Sequence, residues 1–366
     1  VAGDMVDVLC VKGSGWDLGD IEPAGLPAVR LAPLRRLKKL KKLSDEDMVN
    51  AQRLNLLDST SPNPSVETLL HAFLPHKFVD HTHSNAVLAL CDQVEGEKIC
   101  RDLYGDLMGY VPYIMPGFAL ALEADRVFRQ NPDVEGLILL KHGIFTFAAT
   151  AEEAYGRMIK HVSAAERRLR QKRRKKIFPG AALPKKTASV AEIAPLLRGL
   201  VAENIGNGEW KRMVMDFRSS AAVKAFVNGR EVARYACEGT ATPDHVIRTK
   251  PKPLIVPSPA ADDLAGFAKN SGKALRKYIR AYRAYFRRNN KGRRSPKTEL
   301  DPMPRVIMVP GLGLFGLGAS SKAACVAADL AETNVAVITA AEAMSAYKVI
   351  AERDIFEIEY WGLEQA

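Results

Sequence analysis

Residues 62–90 read PNPSVETLLHAFLPHKFVDHTHSNAVLAL, and this stretch sets both the fold and the chemistry to expect. Ser65 is a natural N-cap for VETLLHAFL, a helix that Pro75 closes. The apolar run after it reads as a short strand that ends in His81-Thr82-His83. Alternate residues of a strand point to one face, so both imidazoles can reach one point in space. Glu67 falls in the first turn of the preceding helix, where the macrodipole and free amides favour an ionised carboxylate. A second apolar run, GLILLKHG, ends in His142 in a similar strand-end position. Three imidazoles are the ligand set of an open catalytic zinc site, which keeps a position for water or substrate. Borderline-soft imidazole favours zinc and leaves iron, cobalt and manganese as alternatives. A lone strand-end histidine would more simply be satisfied by core hydrogen bonds. The chain has only seven histidines, so two on one strand face plus a third carry more weight. Beside such a metal, Glu67 could serve as general base, or as a fourth ligand while the site is empty.

The whole chain bounds what surrounds this site. Its 366 residues exceed one average domain and suggest two or three. A hydrophobic content of 47% supplies sizeable cores. No apolar stretch reads as approaching the ~20 residues of a bilayer span. The start, VAGDMVDVLC, lacks the basic and apolar regions of a signal peptide. It begins with Val and enters an apolar strand almost at once, so the natural N-terminus is expected to lie upstream. Five cysteines, Cys10, Cys91, Cys100, Cys237 and Cys325, are widely spaced without a CxxC pair. That usage fits a reducing cytoplasm.

The net charge of +11 is concentrated in RRLKKLKK (35–42), RRLRQKRRKK (167–176) and the segment from Arg276 to Lys297. Leu or Tyr recurs between the charges at roughly helical spacing, so solvated helix faces are the expected reading. No nucleic-acid-binding module pattern accompanies them, and neither nucleic acid nor membrane is an expected partner. The positive field could still attract a phosphorylated substrate.

Along the chain, VDVLCVKGSGWDLGDI reads as a strand, a Gly-rich turn and a less regular segment. Ser44 with Asp45, Glu46 and Asp47 predicts a helix start, and the helix runs to about Asp58. Beyond His83 come a helix from Ser84, another near 96–105, a strand VPYI (111–114) and a helix over about 119–129. The strand pair GLILLKHGIFTFA carries His142, and a long helix from Ala151 to about Lys176 follows. A shift to Pro, Gly, Ala and Lys from Phe178 marks a boundary. Residues 187–302 look mixed, with a basic amphipathic helix around 262–289. The end of the chain reads as a strand (RVIMVP), a Gly-rich loop, a helix (321–332), a strand (NVAVITA) and a C-terminal helix. No internal repeat stands out.

Two further motifs bear on ligands. Gly13-Ser14-Gly15 and Ser65 are candidate anion binders, because small residues let backbone amides approach a phosphate. Gly311-x-Gly313-x-x-Gly316-x-Gly318 follows a strand and opens a helix, which fits a dinucleotide fingerprint. However, Glu332 precedes the next strand and Glu342 comes late, so neither acid is placed for the ribose hydroxyls. Bound NAD is therefore not expected. His245, in the Pro-rich TPDHVIRTKPKP, reads as structural.

The string at 62–90 resembles the metal-site region of the class II aldolase/adducin family, in which a Ser-x-Glu helix start precedes a His-x-His strand. VPYIMPGFALA and LILLKHGIFTFAATAEEAYGRMIKHVSAAERRL resemble its next segments, and the likeness covers about residues 5–176. The remainder resembles a narrower branch, the bifunctional rhamnulose-1-phosphate aldolase/short-chain alcohol dehydrogenase proteins. VLCVKGSGWDLGDIEPAGLPAVRL, GTATPDHVIRTKPKPL and MVPGLGLFGLG carry that likeness. Members of the branch have a Gly-Gly-Gly-Asn-Thr-Ser-like phosphate loop upstream and a dehydrogenase domain downstream. By this resemblance the chain is an internal piece holding most of the aldolase half.

The resemblance implies an α/β fold: a three-layer α/β/α aldolase-like domain (1–178) with a mostly antiparallel central sheet. A connector and helical region (179–302) and a Rossmann-like α/β unit (303–366) would follow. It implies Zn2+ held by His81, His83 and His142, with Glu67 as the catalytic base. Gly13, Ser14, Gly15 and Ser65 would hold the phosphate of a small sugar-phosphate substrate. The implied reaction is cleavage of L-rhamnulose 1-phosphate to dihydroxyacetone phosphate and L-lactaldehyde, in a homo-oligomer that is often four-fold. L-Fuculose-phosphate aldolase, L-ribulose-5-phosphate 4-epimerase and a non-catalytic adducin-like scaffold are the rival functions within the family.

Overall fold

The structure is a computed structural model that describes residue 3, residues 5–172 and residues 177–365. In chain order, β1 (Val8–Cys10) and β2 (Ala28–Arg30) pair as an antiparallel ribbon. The helices α1 (Leu31–Arg36), α2 (Asp45–Leu54) and α3 (Thr68–Phe73) lead into β3 (Phe78–Thr82). Next come α4 (Asn85–Cys91), α5 (Gly96–Tyr104), β4 (Met108–Val111), α6 (Phe118–Gln130), β5 (Gly136–Leu139), β6 (Gly143–Ala148) and α7 (Ala151–Lys172). Ser44 caps α2 as its sequence predicts, its hydroxyl accepting from Asp47 N at 3.1 Å. The expected VPYI strand forms three residues earlier, as β4. The last four residues expected in α7, Arg173–Lys176, lie outside the described residues.

The chain divides into two compact units. The first comprises residues 1–82 and 100–164 and contains a four-stranded sheet in the order β3-β6-β5-β4. Two of its pairings are antiparallel, and the β4–β5 pairing is parallel. Every residue of β5 and β6 is buried, with Leu137, Ile138, Ile144, Phe145 and Phe147 at its centre. Such strands read as continuous apolar runs because neither face meets water. Burying each large side chain contributes about 1.5–3 kcal/mol.

The second unit comprises residues 83–99 and 165–366. It holds α8 (Val190–Leu200), β7 (Glu203–Gly206), β8 (Glu209–Lys211), β9 (Val214–Arg218), α9 (Ala221–Val227), α10 (Val232–Tyr235), α11 (His245–Thr249), β10 (Leu254–Ile255) and α12 (Leu264–Asn290). The hairpin β11 (Val306–Val309) and β12 (Gly313–Gly318), then α13 (Ser321–Met344), α14 (Glu352–Glu359) and α15 (Gly362–Gln365), complete it. Its sheet runs β10-β11-β12-β9. A boundary at residue 302 therefore falls inside one sheet, because β9 and β10 pair with strands beyond it.

Three sequence expectations change here. The Gly-rich string 311–318 is not a strand–loop–helix turn; β11 and β12 pair antiparallel across it. A Cβ on Gly316 would clash with Ala328 N, and one on Gly318 with Ala324 N, so these glycines let α13 lie against β12. NVAVITA is not a strand but part of α13, whose Ala-rich flanks extend one helix through it. Short apolar runs do not distinguish buried strand from buried helix. That helix is long and apolar enough to cross a membrane, yet it packs on β9 and β12 with Ala324, Ala328, Val335 and Ile338 buried. The third change is a repeat. β9, β12, β11 and β10 reproduce the order and directions of β3, β6, β5 and β4. The seven-residue α4 and α9 follow the matching first strands, and both hairpins run directly into a long helix.

Candidate metal centre

Glu67 stands at the N-cap of α3, one residue ahead of the helix rather than in its first turn. Ser65 takes part in that turn: its hydroxyl accepts from Glu67 N at 3.2 Å. His81 is the fourth residue of β3, and His83 follows the strand directly. His142 is the last residue of the three-residue turn between β5 and β6, its N–H donating to Leu139 O at 3.1 Å. Lys141 before it takes a φ of 65°, the left-handed conformation that turns the chain there.

The turn and the strand end converge. Glu67 Oε2 lies 3.3 Å from His81 Nε2, and Glu67 Oε1 lies 3.1 Å from His142 Nε2. Glu67, His81, His83 and His142 each offer one donor atom, all within 4.8 Å of one another. His81 Nδ1 is 3.0 Å from the carbonyl of Ile144. A carbonyl only accepts, so Nδ1 carries the proton and Nε2 turns its lone pair toward Glu67. A lone pair and a carboxylate at that distance repel unless a positive charge joins them, supplied by a bound cation or by ring protonation. Three imidazoles and a carboxylate are a donor set that zinc accepts, so the residues fit the expected metal.

The surroundings stiffen this arrangement. The His81 ring stacks on Phe145 with centroids 4.0 Å apart and planes 14° apart. Its edge meets the His142 ring at 5.4 Å. His71, on α3, lies 5.4 Å from the Phe145 ring, and burial pushes its pKa below the usual imidazole range.

The proposed phosphate residues are drawn to the same neighbourhood, though not as free donors. Gly13 pairs with Pro64, and Ser65 N donates to Lys12 O at 3.1 Å. Gly13 N donates to Gly25 O and Ser14 N to Asn63 O, both at 2.8 Å, so these two amides are already spent. Gly15 holds a φ of 85° with open space around it. Asp244 was missed: its Oδ2 lies 3.6 Å from His83 Nδ1, both residues belonging to the second unit. The two are 161 positions apart, so no local pattern could have joined them. His245 contacts Asn334 Oδ1 at 3.4 Å and is buried, in keeping with a structural place.

Residues 4–169 match the family model described as Class II Aldolase and Adducin N-terminal domain, and residues 188–366 match Aldolase class II, second domain. The chain belongs to the class II aldolase/adducin family. A solved structure of the N-terminal class II aldolase domain of a conserved protein from Thermoplasma acidophilum is 39% identical, covering 46% of this chain and 78% of that one, with a TM-score of 0.43. An aldolase II superfamily protein from Pseudomonas syringae is 17% identical over 44% of this chain and 59% of that one, at a TM-score of 0.33. The Bacillus subtilis (strain 168) protein named Uncharacterized oxidoreductase YuxG is 33% identical over 99% of this chain and 52% of its own length. The chain thus spans about half of that curated relative. Class II aldolases are typically zinc-dependent, and Glu67 with the three histidines forms a cluster able to hold a metal ion.

Proposed function

We propose that this chain carries a zinc-dependent aldolase centre that cleaves L-rhamnulose 1-phosphate to dihydroxyacetone phosphate and L-lactaldehyde. The observation that carries the metal reading is Glu67 bridging His81 Nε2 and His142 Nε2 at 3.3 and 3.1 Å. His81, His83 and His142 would hold the ion. When bound, it supplies Lewis-acid stabilisation for negative charge that builds on the substrate oxygen.

The chain's own part is proton transfer and positioning. In the condensing direction, the Glu67 carboxylate accepts the proton from the carbon beside the carbonyl of dihydroxyacetone phosphate. In cleavage, the protonated carboxyl returns it to the same carbon. Glu67 N is tied to the Ser65 hydroxyl, which holds the start of α3 in place. Gly15 and Ser65 take the phosphate role, while Gly13 and Ser14, whose amides are already paired, shape the turn that leads into Gly15. The reading places the protein in a reducing cytoplasm, in line with five widely spaced cysteines without a CxxC pair, and as a homo-oligomer.

The test is metal analysis combined with a cleavage assay on L-rhamnulose 1-phosphate, L-fuculose 1-phosphate and L-ribulose 5-phosphate. Stoichiometric zinc with preferred cleavage of the first supports the proposal. Turnover of the ribulose phosphate alone would make this an epimerase. Folded protein with neither metal nor turnover would make it a scaffold.

A further inference from the structure

We infer that residues 214–344 are a second copy of the metal-binding fold in which the metal site has been replaced by packing, so that each chain carries one metal centre. The inference rests on the metal reading of the first copy, residues 78–172.

Register makes the comparison residue by residue. In the first copy His81 lies opposite Phe145, and in the second Phe217 lies opposite Phe315. Both hairpins have three-residue turns, Leu139 pairing with Gly143 and Val309 with Gly313. Aligned on those pairings, Phe217 takes the place of His81, Ser219 that of His83 and Leu312 that of His142. Lys141 and Gly311 share the left-handed turn position, at φ 65° and 92°. Thr150 and Ser320 match as well, each hydroxyl accepting from the amide three residues on, Glu153 N and Ala323 N, both at 3.2 Å. The frame is kept while all three imidazoles are lost.

The replacements do structural work instead. Phe217 packs on Phe315 with centroids 4.8 Å apart, as His81 does on Phe145. Gly311 N donates to Asn228 Oδ1 at 2.6 Å, which pins the turn that in the first copy presents His142. A Cβ on Gly311 would meet Ser258 Oγ and Thr187 Cγ2, both at 2.9 Å, so the turn has little room. Among the acids near β9, Asp216 and Asp329 are held by Arg218 at 3.3 and 2.9 Å. A cationic side chain there opposes a metal cation rather than inviting one. The same packing accounts for the glycines that resemble a nucleotide fingerprint.

The experiment is a Co2+ titration of the full chain followed by visible absorption, with equilibrium dialysis for stoichiometry. It uses wild type and the double variant His81→Ala/His142→Ala, both checked for folding by circular dichroism. One tight equivalent in wild type and none in the folded variant is the expected result. Two equivalents in wild type, or one retained in the variant, would overturn the inference. No equivalent in folded wild type would instead sink the metal reading of the first copy, and the count of one with it. Should the double variant fail to fold, Glu67→Gln/His142→Gln with the same readout replaces it.

Discussion

His81 and Phe145 face each other across the antiparallel pairing of β3 and β6 and stack ring on ring at 4.0 Å. With Nδ1 bonded to Ile144 O at 3.0 Å, the imidazole is fixed both in plane and in tautomer. Groups that orient a metal-binding histidine typically contribute 10–100-fold to metal affinity. Phe145→Leu keeps an apolar side chain but removes the flat surface. It should weaken metal binding by about 10-fold, measured by competition with a chromophoric chelator. Unchanged affinity in a folded variant would show that the stack does not position His81.

Glu67 allows a test that separates chemistry from binding. Glu67→Gln preserves shape and a ligating oxygen but removes the proton acceptor. Metal should remain bound, while cleavage should fall by about 10²–10⁴-fold, the usual contribution of general acid–base catalysis. Cleavage near the wild-type rate would exclude Glu67 as the base.

Much of this site was readable in one dimension. The alternation of a strand put His81 and His83 together, and a helix start put an acid before them. The turn that brings His142 back was legible as a strand pair. Asp244 was not, because its proximity to His83 is set by packing 161 residues away. The second half failed for a related reason. Glycines that mimic a phosphate loop are needed where α13 touches β12, and a sequence motif cannot distinguish the two uses. The repeat was hidden because the copies share register and element lengths while their identities diverged, His81 against Phe217 being the clearest case.

The glycine reading gives a paired stability test. Gly316→Ala would drive a Cβ into the backbone of α13 at Ala328 and should destabilise the protein by about 1–3 kcal/mol. Gly156, exposed within α7, has open space around it. Gly156→Ala should stabilise by about 0.5–1 kcal/mol through helix propensity. Urea midpoints compare the two. Equal small effects would show that the close approach of β12 and α13 is not what requires Gly316.

Lys250 provides a prediction about pH. It is buried at 6% exposure on a backbone φ of 65°, unusual for a side chain of this size. Its ammonium donates to Tyr282 Oη at 2.8 Å and lies 3.5 Å from Glu359 Oε1. Burial pushes its pKa from 10.5 down to about 8, against the opposing pull of Glu359. Burial also raises Glu359 above the usual carboxylate range. Between those two pKa values the unfolded chain binds more protons at Lys250 than the folded one does. The contribution of this group to stability therefore rises with pH through that window, and below it the full cost of burying the charge remains. Wild type should gain about 2 kcal/mol relative to Lys250→Met between pH 7.5 and 9.5, following ~1.4 kcal/mol per pKa unit. Urea unfolding of both proteins across that range measures the difference. A flat difference would mean that Lys250 stays charged in the fold, held by Glu359 more strongly than its burial opposes.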